Sequence, residues 1–352
     1  MQPPATLIPA TLIVGPSWVG DMVMAQALFK RLKAEEPDRA LDVLAPAWSL
    51  PIVARMPEIR RGIAAETGHG EVGLAKRWRI ATSLKGEGYE RAIVLPRSFK
   101  SALIPWLAGI PHRTGFRGES RFGLINDVRA FDRAVLDQTV KRFVALGVRN
   151  GQPLPAVPHP RLSIDAERQR ALIVELMLDS QRPVVAMMPG AEYGPAKCWP
   201  LDYFAELARG LHHAGYTIWV MGSEKDRRSG DYIAEQSAAI NVCGKTSLAD
   251  VIDLLGATEQ AISNDSGLMH IASAVGTHVH GLYGSSSPHF TPPLTDRHDV
   301  HYLDLECSPC FERECPLGHL KCLRELLPET VLRRVQIARA ESGHIGDEGN
   351  KA

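Results

Sequence analysis

The chain has 352 residues, enough for two domains of ordinary size, and its 45% apolar and 23% charged residues match a soluble globular protein. Forty basic residues balance forty acidic ones, so no global field argues for nucleic acid, and no run of 18 apolar residues is present to span a bilayer. Six cysteines, four crowded at Cys307, Cys310, Cys315 and Cys322, do not read first as disulfides in a chain of this size without a secretion signal.

Met1 to Val14 is apolar but lacks a charged leading region and a cleavage site, so it is not read as a signal peptide, and cytoplasm is the expected location. Thr11 to Val14 is a strand, and Gly15 to Gly20 is a loop. Asp21 opens a helix with Met22, Ala25, Leu28, Phe29 and Leu32 on one side. Leu41 to Leu44 is the next strand, followed by a short helix at Leu50 to Arg55 and a weak strand at Arg61 to Ala64. Val72 to Lys85 is helical, Arg91 to Leu95 a strong strand, and Ser98 to Ala108 a helix. A helix near Arg133 to Gly147 closes this half, and the proline-rich stretch Arg149 to Pro160 reads as a linker. Strands separated by helices of this length imply right-handed βαβ units in a parallel sheet.

Asp165 to Leu178 is helical and leads to a second series. Its strands fall at Pro183–Met188, Tyr216–Met221, Gln260–Ser263 and His278–Leu282, with a short one possible at Ile240–Cys243. Its helices fall at Leu201–Ala214, Gly230–Ala239, Leu248–Leu255 and Ser266–Val275. Leu326 to Ser342 is a terminal helix, with Gly343 to Ala352 expected to fray. Two doubly wound α/β domains in tandem are expected to form a cleft between the carboxyl edges of their sheets, where ligands bind.

The loops at those edges carry the candidate chemistry. Pro189-Gly190 stops one strand, and Lys197 lies in the loop ahead of the next helix, where free N–H groups favour anions and a compact ammonium suits a phosphate. Taken alone, it reads as a solvated lysine. Asn264-Asp-Ser-Gly-Leu-Met-His270 follows another strand. Asp265 or Ser266 could cap the helix there, yet Ser266, Gly267 and His270 would also face a pyrophosphate held against Lys197. Glu224 could hold ribose hydroxyls or serve as a first-turn acid, and the loop with Thr246 could border a base, although Ser247 reads as an N-cap. Asp21 is either an N-cap or a general base, and one signal does not separate the two. Ser98, Lys100, Arg113, Arg117 and Arg121, with Arg97, make a basic stretch that is either a solvated face or a site for an anionic acceptor. Cys307-x-x-Cys310, with Cys315, Cys322 and His319, has metal-like spacing, with reduced structural thiols or a disulfide as competitors.

Assembled, these runs resemble the ADP-heptose:lipopolysaccharide heptosyltransferases (glycosyltransferase family 9), most closely the type II branch. The resemblance rests on Pro16 to Gln26, Ser98 to Leu103, Gly109 to Gly118, Pro189 to Lys197, Asn264 to His270 and Tyr283 to Pro293, in the family's order. It implies the GT-B fold: two Rossmann-like domains spanning 1–160 for the acceptor and 161–325 for ADP-heptose, with 326–352 as helix and tail. It implies transfer of heptose, with inversion and no required cofactor or metal, to the first heptose of Kdo-lipid A. That acceptor implies a cytoplasmic protein peripheral to the inner membrane. By position, Asp21 would be the base, and Lys197 would hold the donor phosphates and the leaving ADP. Gly190, Glu224, Thr246, Asp265, Ser266, Gly267 and His270 would line the donor, and the Ser98–Arg121 group the acceptor. The cysteine segment departs from the best-known enterobacterial members. A type I heptosyltransferase, a nucleotide-sugar epimerase and a non-catalytic sugar-binding protein are the alternatives. A dinucleotide oxidoreductase is disfavoured, since no Gly-x-Gly-x-x-Gly follows the first strand of either half.

Overall fold

A computed structural model describes residues 9–65 and 73–348, with side chains described as far as residue 341. The chain divides into two units, Met1–Ser163 and Ile164–Ala352.

In the first unit, six strands form one parallel sheet: β1 (Ala10–Val14), β2 (Ala40–Ala45), β3 (Arg61–Ala64), β4 (Tyr89–Val94), β5 (His112–Phe116) and β6 (Asp127–Arg129), in the order β3-β2-β1-β4-β5-β6. β1 and β2 are buried along their whole length, which is why they read as continuous apolar runs. The helices are α1 (Val19–Glu35), α2 (Leu50–Val53), α3 (Leu74–Leu84), α4 (Phe99–Leu107) and α5 (Thr139–Leu146). Val72, where the third helix was expected to begin, lies outside the described residues.

α1 starts at Val19 with Trp18 as N-cap, so Asp21 sits in the first turn rather than capping it. β5 and β6 are not foreseen by the sequence pattern, which treats residues 111–121 as a basic loop. Their short, polar and glycine-bearing segments hide the signal. The stretch after α5 has no regular element, yet it is fastened along α1 and α2. Lys30 Nζ donates to His159 O at 2.8 Å, Gln26 Nε2 to Arg161 O at 2.7 Å, and Ser163 N to Arg55 O at 2.9 Å.

The second unit repeats the plan with β7 (Val184–Met188), β8 (Thr217–Val220), β9 (Ile240–Asn241), β10 (Gln260–Asn264), β11 (His278–Leu282) and β12 (His298–His301), ordered β12-β11-β10-β7-β8-β9, all parallel. Its helices are α6 (Ala166–Glu175), α7 (Leu201–His213), α8 (Arg227–Glu235), α9 (Leu248–Leu255), α10 (Gly267–Val275), α11 (Lys321–Arg324) and α12 (Pro328–Glu348). Asp165 caps α6 by accepting from Glu167 N and Arg168 N. The core under α7 joins Phe204, Leu207 and Leu211 to Val185, Met187 and Ile218 of the sheet, with Val331 and Val335 of α12.

Several elements depart from the sequence reading, among them α5, expected from near Arg133 but starting at Thr139. α8 begins three residues before Gly230 and ends at Glu235, because Arg227 and Arg228 continue its polar face. β12 is an edge strand without an apolar run and was missed. Residues 343–348, expected to fray, continue α12. No helix among the described residues is long and apolar enough to cross a membrane.

Both sheets have the doubly wound order in which the strand sequence reverses, between β1 and β4 in the first unit and between β7 and β10 in the second. At such a switch point neighbouring loops diverge and leave a crevice at the carboxyl edge. Asp21, Ser98, Lys100, Gly190, Lys197 and the run Asp265 to His270 follow the strands at these switch points.

Candidate active site

In the second unit, β7 runs out at Met188 and β10 at Asn264, and the two following loops are sewn together. Asn264 Nδ2 donates to Pro189 O at 2.6 Å, and Trp199 N donates to Asn264 Oδ1 at 3.0 Å. Asn264 is fully buried, so its amide is a fixed brace between strand ends. Trp199 is anchored in turn by Nε1 donating to Leu326 O at 2.9 Å.

That brace brings Lys197 against Asp265. Nζ donates to Asp265 Oδ2 at 2.5 Å, and the side chains are only 18% and 5% exposed. Thr291 Oγ1 reaches the other carboxylate oxygen at 3.5 Å. Nζ also lies 5.2 Å from the centre of the Tyr193 ring, which Arg313 flanks at 5.2 Å.

α10 starts beside this pair. Its N-cap is Ser266, which makes no side-chain cap bond and instead meets Ser263 Oγ at 3.2 Å. The first-turn N–H groups of α10 therefore have no side-chain acceptor from Ser266. His270 is buried, with no hydrogen-bond partner on Nδ1 among the described residues. Burial lowers its pKa to about 4, against an opposing pull from Asp265, so the ring is neutral. Lys197, Asp265 and His270 thus stand together, as the sequence suggests.

Gly190 is needed for another reason. A Cβ there would collide with the Asp226 carboxylate. Asp226 closes a capping box with Ser223, the two bonds to its Oδ2 being 2.8 and 2.7 Å. Glu224 is an exposed first-turn acid paired with Arg227 and packed over Gly244. Thr246 is half-buried, and Ser247 caps α9 through a box with Asp250.

Two hydroxyls were overlooked. Ser285 and Ser286 lie just beyond β11, buried, and their hydroxyls have no hydrogen-bond partners among the described residues. Three consecutive serines after a buried strand were the available signal. Their neighbour Tyr283 donates to Thr291 O at 2.8 Å, tying this loop to the residue that touches Asp265.

The cysteine segment forms the floor of the Lys197 loop. Tyr193 Oη donates to Phe311 O at 2.7 Å, Ala196 N to Arg313 O at 3.0 Å, and Gly194 lies so close to Arg313 that no Cβ would fit. None of the six cysteines forms a disulfide. Backbone N–H groups from Leu317 to Leu320 hold the Cys315 thiol below its ordinary pKa, while burial, then the neighbouring Cys307, Cys315 and Cys310, raise Cys322.

In the first unit, Asp21 is half-buried in the loop-to-helix turn after β1. Ser98 is the N-cap of α4, but the Phe99 N–H is held by Glu119 Oε2 at 2.8 Å rather than by Ser98. Lys100 is half-buried and Arg117 exposed. Two acceptor assignments need correction. Arg121 is buried, donating to Pro96 O at 2.7 Å and to Phe116 O, so its guanidinium braces the β4 and β5 loops. Arg113 lies near the amino end of β5 and donates to Leu124 O at 2.7 Å and Ile110 O at 2.6 Å. Sequence shows a guanidinium but not whether backbone carbonyls consume it.

These corrections separate two substitutions. Arg121→Ala removes the donors to Phe116 O and Pro96 O, of which Pro96 O keeps Ser101 Oγ at 3.2 Å; losing bonds worth about 1–3 kcal/mol each is expected to lower the melting temperature by several degrees. Arg117→Ala, at an exposed side chain, is expected to leave the melting temperature unchanged. Thermal melts check both, and equal melting temperatures would refute the bracing role.

Comparison with known proteins agrees with this arrangement. The description Glycosyltransferase family 9 (heptosyltransferase) matches residues 77–321. Lipopolysaccharide heptosyltransferase 2 of Salmonella typhimurium is 41% identical over 344 residues, covering 94% of this chain and 99% of that protein. The Escherichia coli protein of the same name is 40% identical over 336 residues, covering 92% and 97%. The solved structure of the E. coli ADP-heptose lps heptosyltransferase II superposes with a TM-score of 0.84 at 39% identity, covering 95% of this chain and 99% of that one. A family match across most of the chain, and identity near 40% over nearly its full length, make this chain a member of glycosyltransferase family 9, the heptosyltransferases, with the GT-B fold.

Proposed function

We propose that the enzyme transfers L-glycero-D-manno-heptose from ADP-heptose to the first heptose of the Kdo-lipid A inner core, with inversion. It works at the inner face of the cytoplasmic membrane, as a peripheral protein. The observation that carries this reading is the Lys197–Asp265 pair beside a neutral, unpartnered His270 and the first turn of α10. A diphosphate is the ligand that an ammonium, free helix amides and a spare imidazole nitrogen jointly suit. The relatives named lipopolysaccharide heptosyltransferase 2 support the donor and acceptor class.

The chemistry follows from these groups. Asp21 takes the proton of the acceptor hydroxyl as that oxygen attacks the anomeric carbon. The bond from that carbon to the β-phosphate oxygen breaks, and charge builds on ADP. Lys197 and the α10 amides meet it. Ser266 and Gly267 line the pyrophosphate, Asp265 the sugar hydroxyls, and Glu224 and Thr246 the nucleoside. Ser98, Lys100 and Arg117 hold the acceptor. With the leaving charge met by the protein, the transfer step takes no metal or other cofactor.

The test supplies purified enzyme with ADP-heptose and either Kdo-lipid A or its mono-heptosylated form, read by mass spectrometry. One heptose is expected to add to the mono-heptosylated acceptor alone. Addition to bare Kdo-lipid A favours a type I enzyme, and donor turnover without any acceptor overturns the transfer reading.

A further inference from the structure

The far edge of the second sheet carries a cluster that the transfer reaction leaves unused. His278 and His280 stand two apart on β11, and Asp299 and His301 two apart on β12, with His280 opposite Asp299 in register. Alternation along a strand turns all four to one face. α12 borders that face, its Arg334 Nε donating to Asp299 Oδ1 at 2.9 Å. His280 is fully buried and His301 nearly so.

Gln260 on β10 fixes the hydrogen positions. It contacts Val335 O at 3.0 Å, and a carbonyl only accepts, so the atom there is the amide nitrogen. Gln260 Oε1 therefore faces His280 Nε2, 2.7 Å away. That nitrogen must carry the hydrogen, which leaves the Nδ1 lone pair pointing into the cluster. Metal-binding histidines are held this way, the second ring nitrogen donating to a fixed oxygen.

The remaining distances have the scale of a coordination sphere. His278 Nε2 is 2.9 Å from Asp299 Oδ2, His280 Nδ1 is 3.8 Å from the same oxygen, and His301 Nε2 is 3.2 Å from His280 Nδ1. Donor atoms of His278, His280 and Asp299 all lie within 4.8 Å of one another. A tetrahedral ion with bonds of about 2.0–2.1 Å has donor–donor edges of roughly 3.3 Å. The 2.9 and 3.8 Å separations bracket that value. Arg334 occupies Asp299 Oδ1, which orients Oδ2 toward the histidines.

We propose that His278 Nε2, His280 Nδ1 and Asp299 Oδ2 bind a divalent transition-metal ion, with Zn²⁺ the best match to this donor set. The ion is structural. It staples the edge strand β12, paired on one side only, to β11 and through Arg334 to α12, which packs on α7 behind the Lys197 loop.

The test uses full-length protein without a histidine tag, loaded with Zn²⁺ and freed of excess by gel filtration. Elemental analysis is expected to find one zinc per chain bound through this site. X-ray absorption is expected to find nitrogen and oxygen neighbours at about 2.0–2.1 Å, and the melting temperature rises on loading. His280→Gln lowers the zinc bound at least tenfold, whereas Cys307→Ser with Cys310→Ser leaves it unchanged. No zinc in the unaltered protein, or only sulfur neighbours at about 2.3 Å, overturns the proposal, the latter moving the metal to the cysteines. Zinc retained in His280→Gln overturns it equally, and the wild-type spectrum decides even where that variant does not fold.

Discussion

Asp21→Asn is expected to lower kcat for heptose transfer by about 10²–10⁴-fold, the usual worth of a positioned general base, while the Kd for ADP-heptose stays within about twofold. The separation follows from where the groups sit. Each proposed donor contact, from Gly190 to His270, belongs to the second unit, and Asp21 to the first. Asparagine keeps the size of the side chain and loses only the charge. A first-turn carboxylate contributes about 0.3–1 kcal/mol through the helix dipole, so the folded fraction of the variant stays near that of the parent. Calorimetric titration with ADP-heptose and single-turnover transfer separate the two effects. Turnover within tenfold of the parent removes Asp21 from the role of base, and a parallel loss of donor affinity makes it a structural residue.

Legibility in the sequence tracked burial. β7 is buried at all five positions and reads as an apolar run, and α7 shows its core residues at helical spacing. Both are legible because one physical demand, removal from water, shapes every position. β5, β6 and β12 carry Arg, Gly, Asp and His, and only their sheet neighbours make them strands. The site divides in the same way. Lys197, Asp265 and His270 announce themselves because strand-to-helix loops at a switch point hold ligands. Arg113 and Arg121 mislead because their partners are backbone carbonyls contributed by loops folded in three dimensions. Ser285 and Ser286 are silent for the complementary reason, since only the structure shows that nothing satisfies them.

Lys197→Ala is expected to weaken ADP-heptose binding and to lower kcat by about 10²–10³-fold, the loss seen when one donor to a developing oxyanion is removed. The direction of the binding effect has two parts. Lys197 is the cation proposed to meet the donor phosphates, and it also neutralises Asp265, whose side chain is only 5% exposed. Without the ammonium, that carboxylate stands bare beside an incoming diphosphate and repels it. Lys197→Ala with Asp265→Asn should therefore bind donor more tightly than Lys197→Ala alone, although Asp265→Asn by itself removes a proposed sugar contact. A double-mutant cycle in Kd isolates this coupling. Lys197→Arg is not expected to restore the parent rate, because a planar fork cannot occupy the pocket that a point-charge ammonium shares with Asp265 and the Tyr193 ring. Strict additivity in the cycle would show that the pair does not act as one unit on the donor. Full kcat in Lys197→Ala would place the leaving-group charge elsewhere on the chain.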